Sequence, residues 1–362
     1  MRMRKKPLSI MVALLFAFTL VLSACGGNGS GSGGNSTNDG SAGDTPAATD
    51  DGKVYTMRIG TGSGGADPQP FYLRAYADKL EELSEGRIDV QVYESGQLGN
   101  MAQLIQGVQD GSIECVSFPT TYFATVVPEI NMLDVPYLWN DPGEAAGLLN
   151  ANTTSLDAAL DAKGVTMVSY IRNAGRMLIS SKDLTKVHTI DDLKKLALKT
   201  FTQPSELLQD EAVALGGSPA NLDIGEVTPS LQNGTIDAAM VGAGIYAPFG
   251  MYEVAPYMLL APRDPMISCQ IINNKYLESL PADLQDLVFK AAEEVFSVSY
   301  EYSAKYEQDC IDEMTAGGLK IIETTPELEA GIQEALTQCG EDFLKKYPEM
   351  QGLYDELKAI QN

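Results

Sequence analysis

Two seven-residue stretches constrain this chain most. VQDGSIE at 108–114 and LQNGTID at 231–237 agree at every position by identity or close chemistry. Each reads as the last turn of a helix, a glycine suited to the left-handed conformation that ends helices, and the start of a buried strand. That junction belongs to a βαβ unit. Two of them in a chain of 362 residues predict two similar α/β lobes, since that length exceeds what one small core usually serves.

Hydrophobic periodicity completes the pattern. Tyr55, Met57 and Ile59 alternate as in a strand. Asp67-Pro68 opens a helix with the apolar stripe Leu73, Tyr76, Ala77, Leu80 and Leu83. A strand at 88–92, a helix carrying Met101, Leu104, Ile105 and Val108, and a strand at 113–118 follow. The second unit has a strand at 196–200, helices at 205–215 and 224–232, and a strand at 236–241. Strands at 165–170 and 177–180 lie where the chain passes between units. SLP at 279–281 starts a helix with the stripe Leu284, Leu287, Val288, Ala291 and Val295, running on toward Met314 and long enough to brace both lobes. The expected fold is α/β and two-lobed, each lobe a parallel βαβ-built sheet with helices on both faces. Hinge strands and the long helix join the lobes. Residues 54–172 with about 264–300 make lobe I, and 173–263 with about 301–362 make lobe II.

The first 53 residues differ in kind. Residues 1–24 carry Arg2, Arg4, Lys5 and Lys6 and then an apolar run, as in a cleaved export signal. LSAC at 22–25 has the form of a bacterial lipobox. Cys25 then becomes the lipidated first residue of a protein anchored at the outer face of the cytoplasmic membrane rather than spanning it. Residues 25–53, rich in Gly, Ser, Asn, Thr and Asp, make a tether too polar to bury a core. Without residues 1–24 the chain holds 21 basic residues against 49 acidic, a net charge of −28, which opposes nucleic acid and anionic membrane surfaces.

The single histidine, His188, lies in a polar loop. No Ser/His or Cys/His pairing, metal-ligand cluster or phosphate loop is legible, so no metal or cofactor is expected and catalysis built on those groups is disfavoured; Asp and Glu are plentiful, and a carboxylate hydrolase stays open at this point. Cys115 and Cys269 read as buried strand thiols. Cys310 and Cys339 fall on neighbouring C-terminal helices, where a disulfide and two free thiols are both open. One cation stands out. DDLKKLALKTFT at 191–202 reads as a helical turn feeding a strand, with Lys199 at the strand's carboxyl end, where α/β sheets bind ligands. Lys199 either grips an anionic ligand or snorkels to solvent.

Several ordered stretches now point one way: LSEGRI at 83–88, SGQLG at 95–99, DVPYL at 134–138, TIDDLKKL at 189–196, GEV at 225–227, LQNGTID at 231–237 and SLPADLQ at 279–285. Together they resemble the solute-binding proteins of TRAP (tripartite ATP-independent periplasmic) transporters, the DctP type, from about Tyr55 to the C-terminal helices. The resemblance implies a periplasmic-binding-protein-like fold, an interlobe cleft that closes on a small organic acid, delivery to a two-part membrane permease, and no catalysis. It also implies a monomeric receptor held in the cell envelope. Presenting a ligand to a membrane sensor protein uses the same fold, and receptors of ABC importers share the two-lobe physics with different motifs.

Residue by residue, the resemblance puts a carboxylate-holding arginine at Arg176, in NAGR at 173–176. Lys199 stands where the family has a second arginine clamp; lysine keeps the charge but loses the planar two-donor fork. Val241, beside Met240, replaces a family asparagine, and Ile224 replaces an aromatic that often stacks on ligand. Phe118, Thr120 and Tyr122 fall where lobe I usually touches ligand, and Thr202 lies near the clamp. Fewer polar partners suit a ligand with one carboxylate or more apolar surface.

Overall fold

A computed structural model describes residues 52–260 and 265–361; the expected export signal, Cys25 and most of the expected tether lie outside them. Tyr55–Thr61 (β1), Ile88–Tyr93 (β2) and Cys115–Pro119 (β3) run parallel with β1 in the middle. The helix Pro68–Leu83 begins at Asp67, whose carboxylate accepts from the Gln69 amide, and Met101–Asp110 begins in a capping box made by Asn100 and Gln103. Gly111 and Gly234, the glycines of the twin stretches, sit at φ 81° and 74°, the left-handed conformation that junction requires.

Val165–Ser180 (β4) is one strand of 16 residues where two were expected. The backbone stays extended through a pairing irregularity between Arg172 and Gly175. Lys199–Phe201 (β5), Ser218–Ala220 (β6) and Ala238–Gly242 (β7) are parallel with β5 central. Tyr257–Leu259 (β8), Pro265–Asn273 (β9) and Lys320–Ile322 (β10) complete the described strands.

The strands form two sheets that share β4. The first runs β2-β1-β3-β9-β4, with β9 antiparallel to both neighbours. In the second, β4 lies antiparallel between β7 and β8, with β10 outside β8. The sheets are therefore mixed rather than parallel, because the strands that connect the lobes enter against the local direction. The changeover falls between Gly175, paired with β9, and Arg176, paired with Gly242 of β7. A Cβ at Gly242 would come within 2.8 Å of the Ala174 Cβ, so only glycine lets β7 pass this close to the crossover.

The long helix Ala282–Ala316 has 35 residues and extends about 52 Å. Leu284, Val288, Ala291 and Val295 pack with Tyr72 and Leu80 of lobe I, while Cys310 and Met314 pack with Tyr246 and Val241 of lobe II. The helix Pro326–Lys346 also serves both lobes: Leu336 joins Leu193 in one cluster and Phe343 joins Trp139 in another. Leu353 and Leu357, from the last helix, pack with Trp139 as well. Cys310 and Cys339 lie in different clusters, and the four described cysteines are free and buried; the disulfide left open by the sequence is not made. No described helix is long and apolar enough to cross a membrane.

Candidate functional site

The β4 crossover positions the polar centre of the molecule. Just before it, Arg172 donates to Glu307 Oε2 (2.6 Å) and Ser303 Oγ (2.9 Å), and Glu307 Oε1 accepts from the Gly175 amide (3.0 Å). The long helix thus pins the backbone where the sheets meet. One residue on, Arg176 is buried to 2% exposure. Its Nη1 donates to Asp134 Oδ1 at 3.0 Å, and its Nη2 and Nε approach Gln203 Oε1 at 3.2 and 3.4 Å.

These partners come from both lobes. Asp134 ends the 3-10 turn Pro128–Asp134 of lobe I, and Gln203 follows β5 in lobe II. The Gln203 Oε1 also accepts from Thr121 Oγ1 of lobe I at 3.1 Å, and Ser205 Oγ donates to Asn131 Oδ1 at 2.7 Å. Thr121, Asn131 and Asp134 therefore face Arg176, Gln203 and Ser205 across one buried seam. Burial holds the Asp134 carboxyl above its usual range, against the pull of Arg176. The second Asp134 oxygen and the Thr202 hydroxyl are buried without a hydrogen-bond partner among the described residues. Burial also raises the Tyr122 phenol, opposed by its hydrogen bond to Gln203 and the charge of Arg176, so Tyr122 belongs to the same surroundings.

Phe118 is core, stacked on Phe123 at 5.8 Å between ring centres. Thr120 spends its hydroxyl on the Ile267 carbonyl at 3.0 Å. Met240 packs with Leu178 and Leu198 on one side of the second sheet, and Val241 packs with Met177 and Phe201 on the other. Ile224, half-buried, opens the helix Ile224–Gln232 against the same cluster as Val241.

At Lys199 the strand boundary is corrected. The helix Ile190–Lys195 ends at Leu196, and Ala197 takes a left-handed φ of 47°. The strand therefore starts at Lys199 instead of ending there, with the side chain exposed and the backbone N–H on Asp237 Oδ2 at 3.1 Å. Asp237 and Gly242, beside which Lys199 and Arg176 lie, are about 17 Å apart along the strand at its ordinary rise. Sequence reasoning missed Asp134 and Gln203. Both stood in stretches already singled out, Asp134 as a carboxylate inside the apolar run INMLDVPYLW and Gln203 one residue beyond Thr202.

The profile of the bacterial extracellular solute-binding proteins, family 7 (DctP), matches residues 61–346. The chain belongs to this family. As a DctP-family protein it is an extracytoplasmic solute-binding receptor and not an enzyme. The 2,3-diketo-L-gulonate-binding periplasmic protein YiaO of Escherichia coli (strain K12) is 27% identical over 308 residues, 85% of this chain and 92% of its own. The C4-dicarboxylate-binding periplasmic protein DctP of Rhodobacter capsulatus is 26% identical over 284 residues, 75% and 82% of the two chains. The TRAP periplasmic solute-binding protein of Chromohalobacter salexigens with bound D-glucuronate aligns with a TM-score of 0.77 at 23% identity, over 84% of this chain and 100% of the other. That of Desulfovibrio salexigens with bound orotic acid has a TM-score of 0.77 at 24% identity, over 85% and 100%. This family-7 receptor shares their two-lobed fold.

Proposed function

We propose that this receptor captures a small organic acid in the seam between its lobes and delivers it to the permease of a TRAP transporter. One observation carries the reading: a guanidinium, Arg176, is fully buried where the two lobes meet. A buried arginine there is a preformed half of a carboxylate site, with two parallel N–H donors. The ligands of the relatives fit the same chemistry, since diketogulonate, C4-dicarboxylates, glucuronate and orotate are all carboxylates. In this reading the carboxylate takes the Arg176 edge that now faces Gln203 Oε1, and Tyr122 and Thr202 line the site. The lobes hinge at the β4 crossover, and the closed state binds the acid more tightly.

Residues 1–24 serve as the export signal and Cys25 as the lipid anchor, with the following segment as tether; the folded receptor acts as a monomer. A Cys25→Ala protein that still fractionates with membranes would refute the anchor. For the ligand, mass spectrometry of the small molecules that co-purify, followed by thermal shifts with organic acids, is the decisive measurement. A carboxylate at a hundredfold excess over its Kd stabilises the protein by about 2.7 kcal/mol. No shift with any carboxylate sinks the reading.

A further inference from the structure

We infer that Gln203 is a built-in stand-in for the ligand: its amide oxygen occupies the place on Arg176 that the ligand's carboxylate takes, so Gln203 competes with the ligand and sets the receptor's affinity. The inference rests on the carboxylate reading of Arg176 and deepens it.

Three donors converge on one oxygen. Arg176 Nη2 and Nε lie 3.2 and 3.4 Å from Gln203 Oε1, and Thr121 Oγ1 lies 3.1 Å from it. Gln203 is 4% exposed and Thr121 is fully buried. A hydroxyl and the Nε–Nη2 edge of a guanidinium, gathered in one buried place, are the donors a carboxylate uses. An amide fills that place poorly. Its oxygen is neutral and straddles two N–H groups, at distances beyond the roughly 2.7–2.9 Å of a bond between two ions. A carboxylate brings a full charge and two oxygens to the same edge, one for each N–H. The exchange is favourable, but the ligand must first release Gln203 from Arg176 and Thr121.

The chain around Gln203 lets the amide leave. Gln203 lies past Phe201, the last residue of β5, and before the helix Glu206–Ala214, so its side chain can swing aside without unpairing the sheet. Two residues on, Ser205 anchors the junction by other contacts. Its Oγ donates to Asn131 Oδ1 at 2.7 Å and accepts from the Leu208 amide at 3.3 Å, capping that helix.

The test measures binding of D-glucuronate, succinate, orotate and hexanoate by calorimetry at pH 8. Wild type, Gln203→Ala and Gln203→Glu are each refolded to strip bound solute. Gln203→Ala removes the competitor and should bind its acids about tenfold more tightly than wild type does, the worth of one hydrogen bond to a charged group. A residue that only braces the site would lower the affinity on truncation. Gln203→Glu turns the stand-in into a tethered carboxylate and should weaken the same acids by about tenfold or more. Acids that bind wild type and bind folded Gln203→Ala no more tightly overturn the inference and leave the carboxylate reading standing. So does a Gln203→Glu protein that binds as tightly as wild type. Silence from every acid in every folded form overturns both. Should Gln203→Ala not fold, Gln203→Glu decides alone.

Discussion

Arg176 and Asp134 meet at 3.0 Å across the seam between the lobes, from positions 42 residues apart in the chain. Both side chains are fully buried and form an ion pair. Such a pair adds little net stability, because desolvation of two ions offsets their attraction, but breaking it leaves a charge stranded. Arg176→Met should therefore cost about 3–5 kcal/mol in urea unfolding and abolish acid binding. Joining it with Asp134→Leu should recover much of the stability and none of the binding. A double variant no more stable than Arg176→Met would refute the pairing.

Gln203 ties the lobes through Thr121 while facing Arg176. A double-mutant cycle of Thr121→Val and Gln203→Ala in the ligand-free protein should show a coupling of about 1 kcal/mol, the worth of one net hydrogen bond. Additive effects would mean that this contact does not hold the lobes together.

Lys199 is exposed and lies at the far end of the second sheet from Arg176. Lys199→Ala should leave ligand affinity within about twofold by calorimetry, since an exposed charge that far away is screened. A tenfold loss would place it in the site.

Asp67 caps the helix Pro68–Leu83 and is pushed up to about 6 by burial, with the charge of Glu94 adding to the effect and the Gln69 amide opposing it. The folded protein thus holds this proton more tightly than the unfolded chain does. Its stabilising effect is complete below about pH 4, near the unfolded value, and is lost as the pH rises through 6. Asp67→Asn keeps the cap and removes the charge. It should match wild type near pH 4 and unfold at higher temperature at pH 7. A lower melting temperature at pH 7 would contradict this.

The thiols of Cys115, Cys269, Cys310 and Cys339 are buried and free. Burial raises all four above the usual thiol range, with Cys115 and Cys339 at about 12. All four should resist a thiol reagent in the folded protein and react once it is denatured without reductant. Any of them withheld from the reagent after denaturation would reveal a disulfide.

The sequence alone carried the family, the two-lobe α/β plan and most helix boundaries. Those features rest on local chemistry: caps such as Asp67 and Asn100, positive-φ glycines such as Gly111 and Gly234, and apolar stripes with a helical or strand period. Arg176 was legible too, through the NAGR stretch. The tertiary structure decided what pairs with what. A left-handed Ala197 moved the start of β5 by a few residues and left Lys199 exposed at its first position. The antiparallel entry of β4 and β9 made the sheets mixed, and the packing of Phe118, Met240 and Val241 put them in the core. Asp134 and Gln203 became partners of Arg176 only once distant segments met. Periodicity reports which face of an element is apolar; it says nothing about which buried polar group will find another from across the chain, and that choice placed an acid beside the buried arginine.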